Sequence, residues 1–395
     1  MADIAIPGSG VRAAPRAVPE HLYMLDVLRG LASLAVVLWH YRHFYFTQYD
    51  VIRGFNASSL PLYFLFWPFY EYGFHAVQLF FVLSGFVFYY IYSERIQNRV
   101  VSFYDFCVLR FSRLYPLHFV TLVFVATVQL GAYRTLGSFI IYRENDLRHF
   151  LLNLFFLSYW GLQRGYSFNG PTWSVSVEIL LYLTFFASML LSKRNLPIIA
   201  VSILIGLLMS YSLHSSFRDI GWGLYCFFSG GIAFLVSEQL KRQSALFSFS
   251  IVSVLFFCSA ILSYIFTNFG LRFLSMVSLN GVCFPSLVLC LLLFQYYYHG
   301  AGRSFKLIGD ITYSTYLLHF PIQLTIVWIT TYCGIAVNYN SDITVLGFLG
   351  VVIGISIPTY YYFEAPAQLF LRQRLMQPRP VKVSKVLPMT GEGLR

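Results

Sequence analysis

Charge is what this sequence lacks. Asp, Glu, Lys and Arg make up 11% of its 395 residues, against roughly a quarter in an ordinary globular chain. So few charged side chains, 27 basic and 16 acidic, cannot cover the surface of the two or so soluble domains that the length suggests. The same scarcity excludes a disordered chain and a nucleic-acid-binding surface. What is abundant is apolar: 58% hydrophobic and 19% aromatic residues. The composition is that of an all-α polytopic membrane protein, with the lipid bilayer as its solvent.

Other absences narrow the chemistry. The six cysteines are scattered without a CxxC pair, and Cys258, Cys283 and Cys290 lie in apolar runs. Neither a disulfide framework nor a metal site is indicated: His118, His214 and His299 share no ligand-like spacing with another His, Cys or carboxylate. There is no Walker loop, no GxGxxG after a strand and no GxSxG elbow. A reactive group, if the protein is an enzyme, arrives on a substrate. Residues 1–20 are rich in Ala, Pro and Gly with no apolar core, which reads as a flexible cytoplasmic tail and not as a signal peptide.

About 20 apolar residues cross a bilayer as a helix, and that rule places ten spans. They run near 25–45, 69–92, 115–132, 172–191, 196–213, 220–238, 246–267, 272–294, 309–331 and 343–363. The short apolar stretch 147–161 reads as a re-entrant or interfacial segment; if it spans, the count becomes eleven. With the N-terminus inside, 18 of the 27 basic residues fall on cytoplasmic segments and 8 on outer ones, the remaining one being Arg29 within the first span. All five lysines are inside. The positive-inside rule therefore supports ten spans with both termini cytoplasmic. A membrane domain over 21–366 and a basic tail over 367–395 complete the organisation.

Ionisable residues inside a span are costly, which makes them candidates for function. In the first span Asp26, Arg29, Ser33, Val36 and His40 share one helical face by their spacing of three and four. Asp26 and Arg29 read equally well as interfacial anchors. His40 is harder to dismiss, since a neutral imidazole takes a proton from a hydroxyl near neutral pH. In Trp173-Ser174-Val175-Ser176-Val177-Glu178, preceded by Gly170-Pro171 with Thr172 as a cap, Trp173 suits the interface and Ser174, Glu178 and Tyr182 share a face. Glu178 reads as a base, as the orienter of a histidine, or as an ion-pair partner of an arginine such as Arg29. Arg110 and Arg113, at i and i+3 on a helix end at the cytoplasmic surface, are shaped for phosphate oxygens. Ordinary flanking charge explains them slightly better on spacing alone. Thr312, Tyr316, His319 and Gln323 form a further polar stripe with Pro321 as a kink. Ser84 and Gly85 among the bulky residues of Phe80–Phe86 suit close helix packing.

Together these motifs resemble the acyltransferase-3 family of integral membrane acyltransferases. The elements are Leu25-Asp26-Val27-Leu28-Arg29-Gly30-Leu31-Ala32 ending in His40, the Phe80–Phe86 run, and Arg110-x-x-Arg113 followed by Tyr115-Pro116. Trp173-Ser174-x-Ser176-x-Glu178, Tyr316-Leu-Leu-His319 and Phe363-Glu364-x-Pro366 follow in the family's order. A Val175 where the family usually has Leu is a mild departure. The resemblance implies a ten-helix domain that takes an acyl group, typically acetyl, from cytoplasmic acyl-CoA and delivers it to a hydroxyl of a saccharide. Surface polysaccharide, O-antigen and lipo-oligosaccharide are such acceptors, and some relatives modify macrolides. It implies His40 as the catalytic residue with Glu178 beside it, and Arg110, Arg113 and Arg29 as contacts to the acyl-CoA. Asp26, Ser174, Trp173, Tyr316 and His319 then support the site. Acyl-CoA is a substrate, with no permanently bound cofactor, and the implied address is the bacterial inner membrane. Longer members append a hydrolase-like domain, for which this chain is expected to be too short.

Read from the residues alone, a secondary transporter shows the same ten spans and midplane charges. The Arg110/Arg113 pair argues against it, and a scaffold role leaves the His, Glu and Arg residues unexplained.

Overall fold

The computed structural model describes residues 21–47 and 49–376. The expected tail over 1–20 and residues 377–395 of the expected basic tail lie outside the described residues, while 367–375, expected as the start of that tail, are helical. What is described is mostly helical, with loops and one two-stranded hairpin, Phe46–Thr47 against Asp50–Val51. In chain order the helices are α1 Tyr23–His40, α2 Tyr63–Tyr72, α3 Ala76–Gln97, α4 Phe103–Leu136, α5 Leu147–Leu154, α6 Trp173–Leu191, α7 Asn195–Ser210 and α8 Ser215–Leu240. Then come α9 Ala245–Asn268, α10 Arg272–Ser278, α11 Phe284–Tyr297, α12 Lys306–Asp310, α13 Thr312–Tyr332, α14 Asp342–Thr359 and α15 Ala365–Leu375. The fold is that of an all-α polytopic membrane protein.

Each of the ten expected spans coincides with a helix. Eight helical stretches are long and apolar enough to cross a membrane. The other two expected spans are α7, only 16 residues long, and α13, which carries the His319 and Gln323 stripe. The 147–161 segment supplies only the eight residues of α5, about 12 Å of helix, so it does not span.

Two boundaries differ from expectation in ways that matter. A capping box starts α4 at Ser102, whose hydroxyl accepts from the Asp105 amide while Asp105 accepts from the Ser102 amide. The helix therefore runs 34 residues instead of the 18 or so expected over 115–132. The last span continues through a π-helical segment, Tyr360–Glu364, into α15. Pro366 does not end the helix; it sits at the first turn of α15, where its missing N–H costs nothing.

The bundle centres on α8, most of whose apolar stretch is enclosed, while α9 and the last span turn most of their surface outward. Phe257 and Ile343, 62% and 82% exposed, are lipid-facing side chains of that kind. At the centre α3 and α8 approach closely. A side chain at Gly85 would collide with the Phe227 carbonyl, and one at Gly230 with the Val82 carbonyl. The expectation that the Phe80–Phe86 run serves close packing is met.

Candidate active site

A cavity of about 720 Å³ lies among α1, α3, α4, α6, α13 and α15. Arg29, Arg95, Arg110, Arg113 and Arg372 line it together with Glu178 and Asp310; Ser84, Phe80, Tyr182, Tyr313 and Tyr316 add hydroxyls and rings. His21 and Leu22 at one described end of the chain, and Leu369 and Arg372 near the other, share its wall. Both ends thus lie on the same side of the bundle, as an even number of crossings requires.

The arginines are buried deeper than expected. Arg110 and Arg113 are not at a helix end: they are the eighth and eleventh residues of α4, about 10 and 15 Å along it. The early start of α4 carries them into the bundle. They also have separate partners. Arg110 donates from Nη2 to the Tyr92 hydroxyl at 2.6 Å and lies over the rings of Phe88 and Tyr92, at 5.0 and 5.2 Å. Arg113 donates from Nη1 to Oε1 of Glu364 at 2.6 Å. Glu364 is 2% exposed and also accepts from the Ser314 hydroxyl. Arg29 reaches Asp26 at 3.4 Å, and His21 Nδ1 lies 3.4 Å from the other Asp26 oxygen.

Glu178 belongs to the cavity but not to His40. Its Oε1 accepts from Ser84 at 2.6 Å and from Tyr182, which answers one question left open by the sequence. It neither orients the histidine nor forms an ion pair with Arg29. Ser174 and Tyr316 close the inner end: their hydroxyls are 2.7 Å apart, and Tyr316 donates to the Pro171 carbonyl at 2.6 Å. Trp173 is half-buried and packs against Tyr159, with ring centroids 5.0 Å apart. Thr172 occupies the N-cap of α6, yet its hydroxyl donates to the Asn169 carbonyl instead of capping.

The continuous polar stripe expected on α1 is divided. Arg29 faces the cavity, whereas Asp26, Ser33 and His40 are buried against other groups. His40 is covered by α13 and by the turn that follows α1. Its ring centroid lies 5.0 Å from those of both His319 and His43, and Gln323 donates to its carbonyl at 3.0 Å. His319 in turn lies 5.9 Å from Tyr316, so Tyr316 and His319 bridge the cavity and His40.

One contact sets the chemistry of His40. Its Nδ1 is 2.9 Å from the Val36 carbonyl. A carbonyl oxygen only accepts, so Nδ1 carries the proton and Nε2 holds the free lone pair. His43 was not singled out by the sequence reading. It lies three residues past His40, continuing the spacing of three and four, and the helical turn Tyr41–Tyr45 sets its ring beside that of His40.

The loop between α4 and α6 holds a carboxylate–histidine group, Glu144, Asp146 and His149. Both imidazole nitrogens of His149 are engaged: Nδ1 with Asp146 at 2.7 Å, and Nε2 accepting from the Arg164 amide at 3.2 Å. The group staples the loop. Hydrogen bonds from the His149 amide, first, and its ring hold the Asp146 carboxyl below the usual range.

The family model described as an acyltransferase domain matches residues 22–361. Over 115 residues the chain is 31% identical to "Protein 2 in picA locus" of Rhizobium radiobacter, covering 29% of this chain and 49% of that protein. The chain thus spans about half the length of that curated relative. No solved structure matches. A match over nearly the whole described chain, on a helical membrane bundle, shows that this multi-pass membrane protein belongs to the acyltransferase-3 family.

Proposed function

We propose that the protein transfers an acyl group, acetyl in the simplest case, from acyl-CoA to a hydroxyl of a saccharide at the bacterial inner membrane. The observation that carries this reading is the contact of His40 Nδ1 with the Val36 carbonyl, which leaves Nε2 as the basic nitrogen, with Tyr316 and His319 standing between it and a cation-lined cavity. The cavity's arginines suit the phosphates of CoA, and its aromatic walls suit the pantetheine arm. The thioester is then directed past Tyr316 towards His319 and His40.

In the proposed step His40 Nε2 takes the proton of the acceptor hydroxyl as its oxygen attacks the thioester carbonyl. The C–S bond breaks, and the CoA thiolate recovers the proton from the imidazolium. General-base assistance of this kind contributes about 10²–10⁴-fold. Glu178, held by Ser84 and Tyr182, sets the charge of the cavity wall and is not a partner of the histidine.

The test uses purified protein in detergent with labelled acetyl-CoA and measures transfer and CoA binding separately. His40→Ala is expected to lose transfer while CoA still binds; an unchanged rate in that variant overturns the reading. Mass spectrometry of surface glycans from cells with and without the gene identifies the acceptor. Flux of a solute without any dependence on CoA would indicate a transporter instead.

A further inference from the structure

The sequence pairs Arg110 with Arg113, but the structure separates them by charge. Arg113 is neutralised by Glu364 and Arg29 by Asp26. Arg110 has no carboxylate within ion-pair distance among the described residues, and its nearest bonded partner is the Tyr92 hydroxyl. Two other cavity arginines, Arg95 and Arg372, also have no carboxylate within ion-pair distance among the described residues, and of these Arg372 is held by Ser112, two residues from Arg110 on α4. We infer that Arg110 and Arg372 form the phosphate-binding pair for the donor, with Arg372 supplied by the helix that follows the last span. This rests on the acyl-CoA reading above and assigns a residue of that site.

Three observations place Arg372 for this role. Ala365, Gln368, Leu369 and Arg372 all line the cavity, and their spacing of three, one and three puts them on a single face of α15. The guanidinium is held at one corner only: Nε donates to the Ser112 hydroxyl at 3.2 Å. Its two terminal nitrogens make no hydrogen bond within the protein among the described residues, which leaves the fork free for a bidentate anion. The far end of α15 is fixed as well, since the Tyr104 hydroxyl donates to the Leu375 carbonyl at 3.0 Å. Ser112 and Tyr104 both belong to α4, so the helix that carries Arg110 also holds α15 against the cavity. Arg374, two residues on, is exposed and lies over Phe370, outside the cavity.

The experiment measures CoA affinity by calorimetry on the purified full chain, with competition by pantetheine, which has the arm but no phosphate. Arg372→Gln is expected to weaken CoA by about 10- to 100-fold, the value of charge-assisted hydrogen bonds to one group. Pantetheine should bind wild type and variant alike, and Arg374→Gln should change neither. Arg372→Lys, which keeps the charge and loses the fork, should fall between. Should the glutamine variant not purify folded, the lysine variant alone decides: undiminished CoA affinity in it overturns the pair. Equal CoA binding by Arg372→Gln and wild type also overturns it. So does a parallel loss of CoA and pantetheine, which would make Arg372 a prop for α15. If wild-type protein binds no CoA at all, the acyl-CoA reading itself falls, and this inference with it.

Discussion

Arg113 and Glu364 stand 251 residues apart in the chain and meet at 2.6 Å across the cavity wall. The carboxylate is almost wholly buried, and the guanidinium side chain is 21% exposed. Such a pair is poor evidence for stability as a pair, but removing one partner strands the other charge. Glu364→Ala is therefore expected to destabilise the protein by about 3–5 kcal/mol, read as a lowered thermal unfolding temperature in detergent. Glu364→Gln, which keeps one oxygen to accept from Arg113 and an amide that can donate to the Ser314 hydroxyl, should cost less; equal losses would show that the charge is immaterial.

The crossing of α3 and α8 makes a second prediction. Because a side chain at Gly85 meets the Phe227 backbone oxygen, no rotamer change relieves the clash. Gly85→Val should cost about 1–3 kcal/mol or more through overpacking, measured as thermal stability and yield of folded protein. Gly347→Ala, where no atom lies within 4 Å, is the matched control and should be silent.

The loop staple is testable by protease. Asp146 caps α5, accepting from the His149 amide at 2.8 Å, and Asp146→Ala should cost about 0.5–2 kcal/mol of local stability. Faster cleavage within 140–170 is the readout. The Asp146 carboxyl is held below its ordinary value of 3.8 in the folded loop. Its contribution is thus fully present above that value and is lost as pH falls through the lower, folded one. Protection of the loop should be flat from neutral pH down to about 5 and decline only below about 4.

Ser84 and Tyr182 offer a separation of roles. Both donate to Glu178, and neither lies beside His40. Ser84→Ala removes one charge-assisted bond, worth about 1.5–3 kcal/mol, from a group on the cavity wall. The expected outcome is weaker CoA binding with the transfer rate at saturating donor within a few-fold of wild type. A loss confined to that rate would instead tie Glu178 to the chemical step.

The helices were legible because the bilayer imposes a length and a composition on them, and ten expected positions coincide with ten helical stretches. The candidate site was legible in part. His40, Glu178, Arg110 and Arg113 stood out as charges or titratable groups where lipid should forbid them, although their roles remain proposals. The ends of α4 and α15 were missed for the same reason that the spans were found: a search for apolar windows stops at charge. Local signals were present in Ser102-x-x-Asp105, a capping box, and in Pro366, which starts a helix as readily as it ends one. The step of three from His40 to His43 continued the stripe of the first span and was a local signal for it. The pairing of Arg113 with Glu364 had none: it depends on how α4 and the last span pack, which periodicity within one helix does not encode.

The cavity takes its wall from both described ends of the chain, from His21 and Leu22 as well as from α15. During synthesis the first helix enters the membrane long before the last. The cavity therefore stays incomplete until α15 has been made and has docked. A chain stopped after residue 359 would keep every earlier helix and still lack the segment that holds Glu364 and Arg372. Assembly order thus acts as a timer: no chain stopped short of α15 carries the finished cavity wall.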